Sequence, residues 1–222
     1  MSESDDDPRA RILMAAGPVF ADKGFDGATV REISTAAGVN LAAVNYYFGD
    51  KQHLYVETVR HAREIRSQQE PLPDWDDTVS AEDKLRGFIH TMLRRMVGLK
   101  AAPWQVRLMM REIVQPTQAC RELVQDFFRP TFNLLLGIVQ EVVGRPLPRH
   151  RLEQLGFSIM GQCLHYRVAG EVVAMMVEPA ELEQHYSTDA LAEHIAEFTL
   201  AALTNLRHGS LPPTQALNVQ GN

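Results

Sequence analysis

The feature that most limits the fold is a twenty-residue stretch, Thr29 to Phe48, in which two short apolar patterns meet at a Gly-Val pair. In the first, Val30, Ile33 and Ala37 recur at helical spacing. Thr29 takes the N-cap position with Glu32 three residues on, the pattern of a capping box. Gly38 supplies the left-handed backbone that a three- or four-residue turn needs, and Val39 fills the corner. The second pattern, Leu41–Phe48, starts from Asn40, closes at Gly49-Asp50 and turns Val44 and Phe48 inward. Two helices joined in this way leave Asn40, Leu41, Ala42, Ala43, Asn45, Tyr46 and Tyr47 on faces that the core does not claim. Small side chains at Ala42 and Ala43 let a helix approach the floor of a DNA major groove. Asn45 can bond a base edge or a phosphate, and the Tyr46 and Tyr47 hydroxyls suit phosphates on the groove wall.

The rest of the chain reads as helix, so the fold class is all-α. A helix over Arg9–Lys23, stopped by Gly24, precedes the motif, and another opens near Lys51 and turns polar around Arg63–Gln69. The proline-bearing run Glu70–Asp77 is read as a loop. Beyond it come segments at Ala81–Leu99, Pro103–Val114, Ala119–Val143 with a bend or restart at Pro130, Arg149–Gly170 and Thr188–Leu206. The expected organisation is a disordered tail over 1–8 and a helix-turn-helix DNA-binding domain over 9–52. A helical regulatory and dimerisation domain would fill 53–207, with a flexible tail over 208–222.

Composition narrows the function. Net charge is −6, but much of the acid lies in the N-terminal tail and in the Glu70–Asp83 stretch. Between Pro8 and Arg63 seven Lys and Arg face five Asp and Glu, which leaves that segment slightly positive and permits a nucleic-acid partner. The two cysteines, Cys120 and Cys163, are far apart and in no motif, which argues against a disulfide framework or a cysteine metal site and suits a reducing cytosol. No secretory leader or bilayer-length apolar run is present, so a cytoplasmic chain without a membrane partner is expected. Eight histidines fall in no metal-binding spacing, and the chain has no nucleophile elbow, phosphate loop or dinucleotide fingerprint. We therefore expect no enzyme activity, no catalytic residues, no metal and no cofactor.

The register Thr29-Val-Arg-Glu-Ile33, Ala37-Gly-Val39, Tyr46-Tyr-Phe48 and Asp50-Lys51, with Phe20, Gly24 and Phe25 before it, resembles the DNA-binding domain of TetR/AcrR-type transcriptional regulators. The likeness covers about Arg9–Val59. Farther on, Met109-Met-Arg-Glu112, Pro116-Thr-Gln-Ala119 and Phe128-Arg-Pro130 resemble the CecR-like subgroup. The resemblance implies phosphate contacts for Thr29, Tyr46, Tyr47 and Lys51, and base contacts for Asn40, Leu41, Ala42, Ala43 and Asn45. Asn40 and Asn45 depart from the residues most common there, Ser or Thr and Tyr, so operator contacts would differ in detail. It also implies a repressor that binds a palindromic double-stranded operator as a homodimer and is released by a small-molecule inducer. The competing reading is a helical protein-interaction module that has lost DNA binding.

Two further expectations concern the larger domain. The dimer would form through helices at about 149–170 and 188–206. Leu152, Leu155, Ile159, Gln162 and Cys163 recur there at helical spacing, as do Leu191, Ile195, Phe198, Ala202 and Leu206, with Gly156 and Gly161 allowing close approach. An inducer, largely apolar, would lie among the methionines of the C-terminal part. Its candidate contacts are His90, Met96, Trp104, Arg107, Met110, Arg111, Gln162, His165 and Tyr166.

Overall fold

The fold is that of a computed structural model, which describes residues 7–97 and 103–207. The twelve helices among them are α1 (Pro8–Gly27), α2 (Val30–Ala36), α3 (Leu41–Phe48), α4 (Lys51–Gln69), α5 (Ala81–Val97) and α6 (Trp104–Val114), then α7 (Gln118–Leu123), α8 (Arg129–Val143), α9 (Arg149–Val168), α10 (Gly170–Met176), α11 (Pro179–His185) and α12 (Thr188–Arg207). No strand occurs among the described residues. The tail expected at 208–222 lies outside them, as do residues 1–6 of the other. Asp7 and Pro8 differ from the tail reading: Asp7 caps α1 by accepting from the Arg9 N–H, and Pro8 opens the helix, where its missing N–H costs nothing.

Local chemistry sets the first four helices. Thr29, Asn40 and Asp50 each accept a backbone N–H three residues on, at 3.2, 2.8 and 2.8 Å, and so start α2, α3 and α4. The capping box is half made, because the Glu32 carboxylate turns away from the Thr29 amide to pair with Lys23 at 2.6 Å. Gly24, at φ 72° and ψ −179°, breaks the regular run of α1 in a region that only glycine enters freely.

The helices pack around two apolar clusters. One joins Ile12, Phe20, Ile33, Val44, Phe48, Leu54 and Tyr55, and it also takes in Val59 and Ala62 of α4, Leu108 of α6 and Leu123 of α7. The core of the N-terminal unit thus runs past position 52, and α4 and α6 belong to it as much as α1 does. Tyr55 meets the buried Phe20 and the half-buried Phe25 edge-on, with centroids 4.8 and 5.3 Å apart, and full burial of the Phe20 ring contributes roughly 1.5–3 kcal/mol. The other cluster fills the space among α5, α8, α9 and α12 around Phe88, Ile89, Leu135, Val139, Ile159 and Ile195.

Several segments depart from the sequence reading. The interruption near Pro130 is a π turn over Val124–Phe128, just ahead of the proline, whose ring would otherwise crowd the Asp126 carbonyl four residues back. The helix expected to reach Gly170 bends at Ala169 (φ −105°, ψ 10°), and α10 and α11 follow, neither of which was foreseen. In α9 and α12 the periodic residues Ile159, Cys163, Leu191, Ile195 and Leu206 are buried inside the protomer instead of lining an outer face. Gly156 likewise allows close approach within the chain, beneath Phe132 and Leu136 of α8, whereas Gly161 has open space above it. The outward residues are Phe157, Val168 and Phe198, each about two-thirds exposed, with Ala201 and Ala202.

Two contacts fix α4 to the body. At its far end, Arg66 donates to the carbonyls of Arg94 and Arg95 in the last turn of α5, at 3.1 and 3.0 Å. In return Arg95 donates to the Glu70 carbonyl at the C-terminus of α4, at 2.8 Å. Each helix end, rich in unpaired carbonyls and partial negative charge, receives a guanidinium from the other helix. Burial lowers the Arg95 guanidinium from its ordinary value and its neighbours Arg63 and Arg66 add to this. Near the start of α4, the buried Glu112 carboxylate of α6 accepts from the Tyr55 hydroxyl at 2.6 Å and from the Thr117 hydroxyl and N–H.

Candidate nucleic-acid interface

Helix α3 shows how the motif divides its residues. Val44 and Phe48, one turn apart, are buried, while Leu41, Ala42, Asn45, Tyr46 and Tyr47 are exposed and Ala43 is half-buried. The outer face carries no ionised side chain, so what it offers is shape, methyl groups, one amide and two hydroxyls. Tyr46 stands 83% exposed and meets Tyr47 edge-on at 5.1 Å. A free aromatic of that size on a short helix is unusual on a surface facing only water.

The donors around this face remain available although they also build the fold. The Thr29 oxygen accepts the Glu32 N–H as a cap, which leaves its O–H free to donate. At Asn40 the side-chain oxygen caps α3 through Ala43, leaving the NH₂ group free. Both sit where a helix N-terminus adds partial positive charge. Lys51 is half-buried, with its ammonium 4.7 Å over the Phe25 ring and 3.3 Å from the Asp26 carbonyl. One of its three N–H groups is taken there and two remain. The face therefore gathers donors at both ends of the reading helix, the pattern that neutralises and positions phosphates on either side of a groove.

Two residues of this region were missed from the sequence. Arg31, at the second position of α2 and exposed, has no acid within ion-pair distance among the described residues. Its place two residues after Thr29, in the first turn of α2, could have flagged it. Arg11 holds the turn itself: it donates to the carbonyls of Ala37 and Gly38 at 2.7 and 3.2 Å, beside the positive φ of Gly38 (64°). No sequence pattern announces a contact across twenty-six residues.

The nine residues marked for a small ligand are not brought together. Trp104, Arg107 and Arg111 lie on α6 and face α1. The Trp104 ring covers Gly17, Arg107 pairs with Asp22 at 2.9 Å, and the Arg111 guanidinium lies against Gly24. His90 on α5 is half-buried and 3.7 Å from both Asp189 and Glu193 of α12. Met96 and Tyr166 border the C-terminal core, Met110 is half-buried on α6, and Gln162 and the exposed His165 lie on α9. Neither thiol is set up as a nucleophile: burial pushes Cys163 up to about 12 and raises Cys120 as well. Among the described residues, no helix is long and apolar enough to cross a membrane.

Comparison with known proteins agrees with this geometry. Residues 12–58 match the family model of bacterial regulatory proteins of the tetR family. Residues 81–203 match that of the C-terminal domain of the HTH-type transcriptional dual regulator CecR. The CecR regulator of Shigella flexneri is 24% identical over 184 residues, spanning 79% of this chain and 82% of its own. Among solved structures, Bacillus subtilis FadR in complex with stearoyl-CoA superposes with a TM-score of 0.58 at 19% identity, covering 86% of this chain and 97% of its own. AibR in complex with isovaleryl coenzyme A and operator DNA does so with 0.63 at 15%, covering 86% and 97%.

Proposed function

Given that the chain belongs to the tetR family of bacterial regulators, in its CecR-like branch, and is therefore a DNA-binding transcriptional regulator and no enzyme, we propose that it represses transcription by binding a palindromic operator as a homodimer and is released by a small, largely apolar inducer. The observation that carries the DNA-binding part is the exposed, uncharged outer face of α3, flanked by the free donors of Thr29, Asn40 and Lys51. In this reading Leu41, Ala42, Ala43 and Asn45 meet base edges, and Asn40 meets the edge nearest the helix start. Tyr46, Tyr47, Thr29 and Lys51 bind phosphates, and Arg31 joins them. A single eight-residue helix touches few base pairs, so two copies on a two-fold axis, reading grooves about 34–36 Å apart, supply the specificity.

The inducer reading draws on FadR and AibR, each solved with an acyl-coenzyme A. Of the candidate contacts, Met96 and Tyr166 border the C-terminal core and are the ones we retain. A ligand that favours mis-spaced reading heads weakens DNA binding, and DNA weakens ligand binding by the same factor.

The test is fluorescence anisotropy of the purified protein on DNA from its own upstream region at two salt concentrations. A Tyr46→Phe/Tyr47→Phe/Lys51→Ala variant is measured alongside. Tight binding with a steep salt slope, weakened in the variant and with a slope smaller by about 0.9 for the lost lysine contact, is the expected result. Binding that ignores salt and the three substitutions would leave the interaction-module reading in its place.

A further inference from the structure

Residues 170–185, which form α10 and α11, are the one part of the described chain where two successive helices bury no side chain. They nevertheless carry apolar groups: Val172 is half exposed, and Met175 and Met176 are about four-fifths exposed. These groups continue a stripe that begins on α9. Phe157, Gly161, His165 and Val168 are exposed at spacings of four, four and three residues, and Val172 and Met175 follow at four and three. Backbone hydrogen bonding runs through the bend, from the Ala169 N–H to His165 and from the Val173 N–H to Ala169, at 2.7 and 2.8 Å. One largely exposed face, at whose start Phe157 also stacks on Phe132 of α8 with centroids 4.5 Å apart, therefore extends from the middle of α9 to the end of α10.

The charges on either side of this stripe say what covers it. The arm 170–185 holds four glutamates, Glu171, Glu178, Glu181 and Glu183, with no lysine or arginine. The start of α9 and the loop before it hold Arg145, Arg149 and Arg151 against one acid, Glu153, which pairs with Arg149 at 2.7 Å, so that end is net basic. A net basic start, an apolar stripe and, beyond Arg167, an acidic arm thus follow one another along a helix about 30 Å long and its extension. A surface ordered in this way is complementary to itself, turned end for end. That is the requirement of a two-fold contact, in which residue i of one copy meets j of the other and j meets i. An anionic lipid surface would be repelled by the arm.

We propose that α10 and α11 form an arm that embraces a second copy of this chain. In this arrangement α9 packs antiparallel to the partner's α9, Met175 and Met176 cover apolar surface of the partner, and the arm's glutamates meet the partner's basic α9 start. This rests on the homodimer proposed above and extends its interface beyond α9 and α12.

Sedimentation equilibrium of the full-length protein tests it, with circular dichroism to confirm that each variant keeps its helix content. Met175→Glu/Met176→Glu weakens the dimer roughly tenfold or more, and Phe157→Arg, at the centre of the α9 face, weakens it further. Glu181→Arg/Glu183→Arg and Arg149→Glu/Arg151→Glu each weaken it, and combining the two swaps restores most of the loss. A dimer broken by Phe157→Arg but untouched by the methionine substitutions would overturn the arm and leave the dimer reading intact. Losses in both charge swaps without recovery in the combination would overturn the antiparallel pairing. A wild-type protein that sediments as a monomer would overturn the dimer and the arm together.

Discussion

Replacing Gly17 by alanine puts two effects of opposite sign in competition, and the structure decides between them. Gly17 lies inside α1, where alanine is preferred by about 0.8–1.0 kcal/mol, so on propensity alone the substitution stabilises. A Cβ at this position, however, would come within 2.6 Å of three carbons of the Trp104 ring. Carbon atoms pack at about 3.5–4.0 Å, so α1 and α6 must separate by about 1 Å or the ring must leave its place. Trp104 is a broad, stiff ring wedged between two helices, which sets the penalty at the upper end of the roughly 1–3 kcal/mol typical of overpacking. The net result is a loss of about 1–2 kcal/mol. Urea unfolding followed by far-ultraviolet circular dichroism measures it, and Trp104 emission reports the opened joint. In a Trp104→Ala background the obstacle is gone and Gly17→Ala recovers its helical preference, so the sign reverses. A Gly17→Ala protein about 1 kcal/mol more stable than wild type would refute the close approach of α1 to α6 on which this reasoning stands.

Other substitutions test separate parts of the structure. Asn40→Ala removes the side-chain cap of α3 and lowers stability by about 1 kcal/mol in the same unfolding assay. It also weakens operator binding in anisotropy more than that stability loss accounts for. Tyr55→Phe leaves the buried Glu112 carboxylate short of one donor and costs about 1.5–3 kcal/mol at neutral pH. Burial first, and the Glu112 hydrogen bond next, hold the Tyr55 hydroxyl above its ordinary value. Its contribution is complete below about pH 10 and falls by up to about 1.4 kcal/mol per pH unit above it, as the unfolded chain loses the proton first. The alkaline decline is therefore shallower in Tyr55→Phe than in wild type, and equal slopes in unfolding curves collected up to pH 11 would contradict the assignment.

The recognition motif was legible because its information is local. Thr29, Asn40 and Asp50 cap the helices that follow them, Gly38 has the positive φ that its turn requires, and Val44 and Phe48 are the inward pair that the spacing predicts. What escaped depends on contacts between distant segments. Trp104, Arg107 and Arg111 look like ligand anchors when α6 is read alone, because nothing in that segment reveals that α1 lies against it. The same holds for α9 and α12, whose helical period identifies an apolar face but not whether that face meets the rest of the protomer or another surface. Helices α10 and α11 bury nothing, so they lack the inward stripe by which a helix is recognised in sequence.

The mutual capping of Arg66 and Arg95 gives α4 a pivot. The helix has nineteen residues, about 28 Å from the Glu70 carbonyl that Arg95 caps to the end that adjoins the reading helix. Capped at one extremity and packed with α1, α6 and α7 over the rest of its length, it would swing only together with that cluster, and a small angle would become a sizeable translation. A rotation of about 5° about that fixed end moves the far end by roughly 2.5 Å along such a length. In the proposed dimer, two heads swinging oppositely would alter their separation by about 5 Å, or roughly one and a half base-pair steps at 3.4 Å each. In the two-fold dimer proposed above, a mismatch of that size would lower operator affinity, so a movement between the two clusters would govern DNA occupancy from a distance.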